Sequence, residues 1–359
     1  MSIQNHPAEM HPENMHPGVR VGGWSWVWRP WIVLVTVVLA ALTFLIFCVS
    51  ISVGDFTIGL DAVVRTLIGQ GERVDEFVIM DLRMPRALVG LIVGAALGIS
   101  GALSQSIARN PLASPDVLGI TGGASATAVA LVTASGGAAI TSAIGLPAAA
   151  LTGGLLTGLL VYFLAWRKGI DGFRLILIGI SVNAVMQALT TWLLVLADIR
   201  DVARAQSWLV GSLDARSWPQ VWTTLWVTIA LVVIVLAISF QLRPMHFGDD
   251  VAAGLGVRYG AVRALLLLCA VLLAGVAVSA AGPVPFVALV APQITMRLLK
   301  SPVPPLIASG LFGALLLIGS DLIARLVLPN DLPVGVVTAI IGGPFLVYLL
   351  VRANVKRAA

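Results

Sequence analysis

The stretch that decides the fold is residues 83–119, which read RMPRALVGLIVGAALGISGALSQSIARNPLASPDVLG. Two arginines, Arg83 and Arg86, precede a run of about 20 uncharged residues, which is long enough to cross a bilayer as a helix. The run ends in a polar, proline-containing loop at 109–115. This pattern predicts a membrane-spanning helix that begins with charges and ends in a defined loop.

Small residues follow a regular spacing along this predicted helix. Gly90, Gly94 and Gly98 recur at every fourth position, and Gly101 follows them. Residues four apart lie on the same face of an α-helix. The four glycines therefore form a flat stripe at which a second helix can approach closely, and we predict that they are helix-packing residues.

The composition of the chain predicts an integral membrane protein. Of its 359 residues, 58% are hydrophobic and 11% are charged, whereas a soluble domain carries about 25% charged residues. The apolar runs are continuous, which disfavours a β-barrel with alternating faces. No basic stripe is interleaved with aromatic residues, so we expect membrane lipid and not nucleic acid around the chain.

Apolar runs divide the chain into about ten crossings, which predicts an all-α, polytopic bundle. The third and eighth runs are short or are interrupted by glycine and proline. The predicted crossings are 31–53, 87–107, 117–135, 143–165, 172–197, 218–240, 261–281, 285–299, 304–326 and 334–352. They form one domain over 31–352, preceded by a tail at 1–30 that we expect to be disordered and followed by a tail at 353–359.

The distribution of charge predicts the orientation of the bundle. With both termini in the cytoplasm, 14 of the 22 Lys and Arg residues fall on the cytoplasmic side and 8 fall outside. An excess of Lys and Arg inside is the usual arrangement. Arg83, Arg86, Arg200, Arg204 and Arg216 lie outside against this tendency, which favours a role in docking an acidic partner.

The sequence carries no arrangement of residues that indicates catalysis. It has no G-x-x-x-x-G-K-[ST] phosphate loop and no His-Glu-x-x-His or Cys/His cluster. We therefore predict no catalytic residue, no metal site and no cofactor, and expect the energy for any transport to come from a partner or an ion gradient. Three His-Pro pairs within residues 1–17 leave a metal-binding tail as an alternative to a disordered one.

Polar residues inside the predicted crossings have two interpretations. Asp321 and Arg325 are four apart and can pair on one helix face, either as functional residues or as an ion pair near the outer interface. Gln105, Asn183 and Gln187 either line a translocation pathway or form hydrogen bonds between helices.

Several separate motifs between about residue 35 and residue 352 resemble the FecCD family, the permeases of ABC importers for iron(III)-siderophores, haem and vitamin B12. They are the stretch quoted above, the loop at 245–258, the segment AGPVPFVALVAPQ at 281–293, and residues 320–345. Within the family, the chain is most similar to the ferric enterobactin-type permeases. The resemblance implies the type II ABC importer permease architecture. Gln293 stands where the family usually has His.

The resemblance also implies two docking sites. In the family, the arginines that match Arg83, Arg86 and Arg325 lie at the periplasmic mouth, where they meet glutamates on the two lobes of a soluble substrate-binding protein. A cytoplasmic coupling loop, here 243–260, docks into a groove of the ATPase. Its residues in this chain are Gly248, Asp249, Asp250, Val251, Ala252, Leu255 and Gly256.

The partners and the cargo follow from the same resemblance. It implies a second permease subunit, identical or related, two ATP-binding cassette ATPase subunits and a substrate-binding protein. The location is the bacterial inner membrane, with cytoplasmic N and C termini. The implied cargo is a ferric siderophore of the enterobactin or catecholate type, with haem or vitamin B12 as alternatives within the family and an ion-coupled secondary transporter as the alternative outside it.

Overall fold

A computed structural model of the chain describes residues 18–21, 24–27, 30–54, 58–134, 145–166, 172–242, 259–327 and 332–358. Its helices are α1 Pro30–Ser52, α2 Leu60–Leu67, α3 Arg73–Glu76, α4 Met84–Ala108, α5 Ile120–Ala134, α6 Gly145–Ala165, α7 Gly172–Leu196, α8 Ile199–Leu209, α9 Trp218–Ile238, α10 Tyr259–Ala281, α11 Val287–Leu298, α12 Leu306–Leu326 and α13 Val334–Ala358. A π-helix, Phe77–Arg83, joins α3 to α4, and a 3-10 turn, Ser239–Gln241, follows α9. Strands β1 Gly18–Val21 and β2 Trp24–Val27 form an antiparallel hairpin.

The helical bundle confirms the predicted fold class. Within the described ranges, eight helical segments are long and apolar enough to cross a membrane, and α5 and α11 are shorter apolar helices. The two short helices are the third and eighth predicted crossings. Together these ten segments match the ten crossings predicted from hydropathy.

The two short helices each follow a non-helical segment whose residues cannot continue a helix. Residues 109–119 precede α5 and contain two prolines, and residues 282–286 precede α11 and contain two more. Proline lacks the backbone N–H that a helix interior needs. Gly119 and Gly282 adopt φ values of +78° and +72°, a conformation that glycine tolerates best. The breaks predicted from glycine and proline therefore shorten both helices.

Helix α4 forms the centre of the bundle and packs against α12, α10, α11 and α9. Its glycine stripe faces helix backbones: a methyl group added at Gly94 would meet the backbone of Gly313, and one at Gly98 would overlap the carbonyl oxygen of Ser309. One added at Gly101 would overlap the carbonyl of Ala288 on α11. Gly90 packs against side chains of the loop before α9 and of α12.

A second group of helices, α5, α6 and α7, packs around small residues of its own. Gly123 of α5 lies against Thr157 and the carbonyl of Gly153 in α6, and Gly179 of α7 lies against the backbone of Leu118. Helix α10 contacts both groups, because it packs on α4 and on α6. Helix α1 covers α12 from outside, where the Thr43 hydroxyl donates to a carbonyl of α12.

Some elements differ from the sequence prediction. Residues 54–82, predicted as a loop, contain α2, α3 and the π-helix, and residues 197–217 contain α8. Both α2 and α8 are short amphipathic helices, which a search for continuous apolar runs does not detect. Within the predicted tail at 1–30, residues 18–21 and 24–27 form the hairpin, and α13 continues through the predicted tail at 353–359 as far as Ala358.

Replacing Gly98 by alanine is expected to destabilise the bundle by about 1–3 kcal/mol, because the added methyl group overpacks the contact between α4 and α12. Gly319→Ala on α12 is the matched control, since an added Cβ there meets no atom within 4 Å. The thermal unfolding midpoints of the two variants in detergent measure the difference. A Gly98→Ala midpoint equal to that of Gly319→Ala would contradict the packing role of the stripe.

Candidate docking and translocation sites

A buried carboxylate joins the ends of α4 and α12. Asp321 accepts hydrogen bonds from Arg86, with Nη2–Oδ1 at 2.8 Å and Nε at 3.1 Å from both carboxylate oxygens. Arg325 Nε lies 3.2 Å from Asp321 Oδ2, so the pair predicted from the four-residue spacing is present. The Asp321 side chain is only 2% exposed. A carboxylate this buried requires charged partners, and two arginines provide them.

The solvent-facing side of the Arg86 guanidinium contacts a second acid that the sequence did not indicate. Arg86 Nη1 donates to Asp214, which lies in the loop between α8 and α9 and is 52% exposed. Ser212 Oγ donates to Asp214 Oδ2 at 2.9 Å and accepts the Asp214 backbone N–H at 3.0 Å. In the same loop, burial lowers the pKa of the Arg216 guanidinium, while the charge of Asp214 opposes this shift.

The other two predicted docking arginines bind the C-terminal end of α1. Arg83 Nη1 donates to the carbonyls of Ile51 and Ser52, both at 3.0 Å, and Arg325 Nη2 donates to Ser50 Oγ at 2.9 Å. The last carbonyls of a helix lack intrahelical donors and favour cations. These contacts give both arginines a role inside the chain, so their docking to a partner stays a prediction.

Exposure separates the three arginines. Arg83 is 7% exposed, and the side chains of Arg325 and Arg86 are 13% and 20% exposed. Arg86 is the most exposed of the three, and it contacts the exposed acid Asp214. It is therefore the arginine best placed to meet a carboxylate from outside.

A second region of interest lies where the two non-helical segments meet. Asp116, in the segment before α5, accepts a hydrogen bond from the Thr121 hydroxyl and lies near the backbone N–H of Phe286, in the segment before α11. Phe286 has a φ of +68°, and its ring packs against Gly342 of α13. The carboxylate thus lies where two segments that are far apart in sequence meet.

The glutamines near this region form hydrogen bonds between helices. Gln105 Nε2 donates to the Leu289 carbonyl at 3.1 Å, and Gln293 Nε2 donates to Gln105 Oε1 at 2.7 Å. Gln105 and Gln293 are 3% and 6% exposed. This geometry matches the second interpretation of Gln105, as a link between helices, and gives Gln293 an amide partner at the position where the family usually has His.

The polar residues of α7 are placed differently. Asn183 is half-buried beside Gly122 of α5, whereas Gln187, Ser181 and Thr191 are exposed. These three residues lie on the side of α7 that faces away from the other described helices, where exposed apolar residues such as Ile180 and Trp192 also lie. Of the predicted pathway residues, Gln187 thus lies on the outward side of α7, Asn183 at its edge and Gln105 in the interior.

The residues of the predicted coupling loop lie outside the described residues, apart from the two at its C-terminal end. Within the described ranges, no group of three His, Cys, Asp or Glu side chains is arranged to hold a metal ion. The candidate functional regions are the arginine–aspartate cluster, the meeting point of the two non-helical segments, and the polar residues on the outward side of α7.

Comparison with known proteins identifies the family. The FecCD transport family model matches residues 42–352. The chain belongs to the FecCD transport family. It is 41% identical to the ferric enterobactin transport system permease protein FepG of Escherichia coli over 306 residues, which are 85% of this chain and 91% of FepG. It is 38% identical to the iron(3+)-hydroxamate import system permease protein FhuG of Bacillus subtilis, covering 88% and 97% of the two chains.

A solved structure supports the same assignment. The fold matches a metal-chelate type ABC transporter in an inward-facing conformation with a TM-score of 0.78 and 25% identity, over 89% of this chain and 99% of that one. The protein is therefore a multi-pass permease subunit of a bacterial inner-membrane ABC importer for iron or siderophores. It is not an enzyme, because in this family a separate ATPase subunit hydrolyses ATP. Membership of an ABC importer family also excludes the alternative of an ion-coupled secondary transporter.

Replacing Asp321 by asparagine is expected to destabilise the protein by about 3 kcal/mol, because Arg86 and Arg325 lose the charge that compensates their burial. Asp61→Asn provides the matched control: Asp61 pairs with Arg65 in α2, but their side chains are 69% and 63% exposed. An exposed pair contributes at most about 1 kcal/mol. Thermal unfolding in detergent compares the two, and equal midpoints would contradict the structural importance of the buried cluster.

Proposed function

We propose that this chain forms one half of a translocation pathway for a ferric siderophore of the catecholate type, such as ferric enterobactin. The observation that carries the proposal is the presence of three polar side chains, Gln187, Ser181 and Thr191, among the exposed residues on the outward side of α7. Polar side chains are costly against lipid, and in membrane proteins they usually face a cavity or another helix. A second permease subunit that covers this face would turn Gln187, Ser181 and Thr191 into the wall of a polar pathway.

The choice of cargo rests on chemistry and on similarity. Residues 172–196 contain no Asp or Glu, so α7 presents no negative charge to an anionic ferric catecholate. FepG, whose name refers to ferric enterobactin, is 41% identical to this chain. Other relatives carry hydroxamate or citrate in their names at 38% and 35% identity, and these cargoes are the alternatives to be tested.

The proposal extends to the two ends of the pathway. At the outer end, Arg86 receives a carboxylate of the substrate-binding protein, since charge-assisted Arg–carboxylate bonds are strong and directional. At the inner end, the loop at 243–260 docks on the ATPase and carries its nucleotide-dependent motion to α10. Both termini then lie in the cytoplasm, as the distribution of Lys and Arg predicts.

Reconstitution tests the proposed transport directly. In proteoliposomes that contain this chain, its partner permease and the ATPase, radiolabelled ferric enterobactin supplied with the binding protein is expected to accumulate only when ATP is present. Unlabelled ferric hydroxamate and ferric citrate are expected to compete weakly. Equal competition by all three would overturn the catecholate assignment, and uptake without the ATPase would overturn the ABC mechanism for this chain.

Two variants in the same vesicles test the role of the coupling loop, one as the test and one as its control. Replacing Leu255 and Gly256 by Asp is expected to leave ATP hydrolysis in place but to stop uptake, because an ATPase that is not docked cannot move the helices. Gly319→Ala, which contacts no neighbour, is expected to transport normally. Normal coupled transport in the double variant would refute the role of the loop.

The outer docking role is tested by binding. Arg86→Gln is expected to weaken binding of the substrate-binding protein by about tenfold, because loss of a charge-assisted contact chiefly raises the dissociation rate. Arg86→Lys should recover part of the loss, and Arg65→Gln, which removes the same charge from α2, should change the affinity little. Arg86→Gln with unchanged affinity and an unchanged unfolding midpoint would remove Arg86 from the docking site.

A further inference from the structure

We propose that Asp214 is an internal competitor for docking: its carboxylate occupies the outward side of Arg86 until a carboxylate of the substrate-binding protein displaces it. The inference rests on the proposed function, in which Arg86 receives that partner. It adds an acidic residue that opposes docking, a role that neither the family resemblance nor the sequence pattern indicated for this loop.

The two sides of the Arg86 guanidinium differ in how readily their partners can be exchanged. Nε and Nη2 bind Asp321, whose side chain is 2% exposed, and Arg325 holds the same carboxylate. Nη1 binds Asp214, whose side chain is 52% exposed. A planar guanidinium offers donors on separate edges. The edge of the guanidinium formed by Nε and Nη2 therefore binds the buried acid Asp321. Nη1 binds Asp214, an acid that solvent and a partner protein can reach.

Asp214 is held at a fixed place by its backbone and only lightly by its side chain. The loop is anchored by the Ser212 N–H to the Ala281 carbonyl at 2.8 Å, by the Gly335 N–H to the Gly211 carbonyl at 3.2 Å, and by Arg216 Nη2 to the Ser212 carbonyl at 2.9 Å. Beyond Arg86, the side chain bonds to the Ser212 hydroxyl. Rotation of one side chain therefore releases Arg86, and the fixed backbone keeps the competing carboxylate nearby at high effective concentration.

The charges of the cluster explain what such a competitor achieves. Asp321 and Asp214 offset two of the three charges of Arg86, Arg325 and Arg216, so the closed cluster attracts an acidic surface less strongly than it would without Asp214. A carboxylate that enters must replace Asp214 and also tolerate its charge close by. Only a partner whose carboxylate is positioned to bond Arg86 directly gains more binding free energy than it loses. The competitor therefore discriminates against other acidic proteins. It also speeds release of the binding protein after delivery.

The test measures the affinity of the purified binding protein for the complete transporter in lipid nanodiscs at low and high salt. Asp214→Asn is expected to tighten binding about three- to tenfold at low salt, with a smaller gain at high salt, because exposed charges are screened. Asp61→Asn makes the same change of net charge in α2 and should give a smaller gain. Ser212→Ala removes a hydrogen bond to Asp214 without changing charge and should also tighten binding.

A double variant separates this inference from the proposed docking itself. If Asp214 acts through Arg86, Asp214→Asn should give no gain in an Arg86→Gln background, since the two substitutions then remove one shared interaction. Suppose that Arg86→Gln weakens binding. The competitor role of Asp214 is then overturned if Asp214→Asn and Asp61→Asn tighten binding equally, or if neither Asp214→Asn nor Ser212→Ala tightens it. Either result leaves the docking site intact. Unchanged binding by Arg86→Gln would overturn both.

Discussion

The close approach of the α4 and α12 backbones is the contact on which two of the three candidate regions depend. Gly94 and Gly98 allow it, because any side chain there would meet the backbone of α12. At one end of this contact, Arg86 of α4 reaches Asp321 of α12 at 2.8 Å. At the other end, Gln105 of α4 donates to a carbonyl of α11, and the same buried helix thus positions the arginine–aspartate cluster and the hydrogen bonds of the glutamines.

A second constraint comes from the bilayer, which offers no water to unsatisfied backbone groups. The chain breaks two helices with proline and glycine, and each break exposes donors or acceptors that a regular helix would have paired. Asp116 lies near the Phe286 N–H, across the two breaks. Arg83 donates to two carbonyls at the end of α1. Both side chains thus lie at backbone groups that have no intrahelical partner.

The sequence predicted those features that arise from local patterns. Continuous apolar runs predicted the crossings, proline and glycine predicted the short α5 and α11, and four-residue spacing predicted the Asp321–Arg325 pair. Contacts between distant segments could not be predicted in this way: Arg86 and Asp214 are 128 positions apart. Likewise the glycine stripe predicted a packing face on α4, but the identity of its partner depends on the tertiary fold.

The choice between a path-lining and a structural role for polar residues also required the fold, because hydropathy cannot tell which face of a helix is covered. Gln105 and Gln187 look alike in sequence, yet one is 3% exposed and bonded to α11 while the other lies on an outward face. The interior amide links α4 to α11, and because water does not reach it, breaking its hydrogen bonds would leave polar groups without a partner. In the proposed pathway, the outward amide can contact the cargo only when a second subunit encloses it.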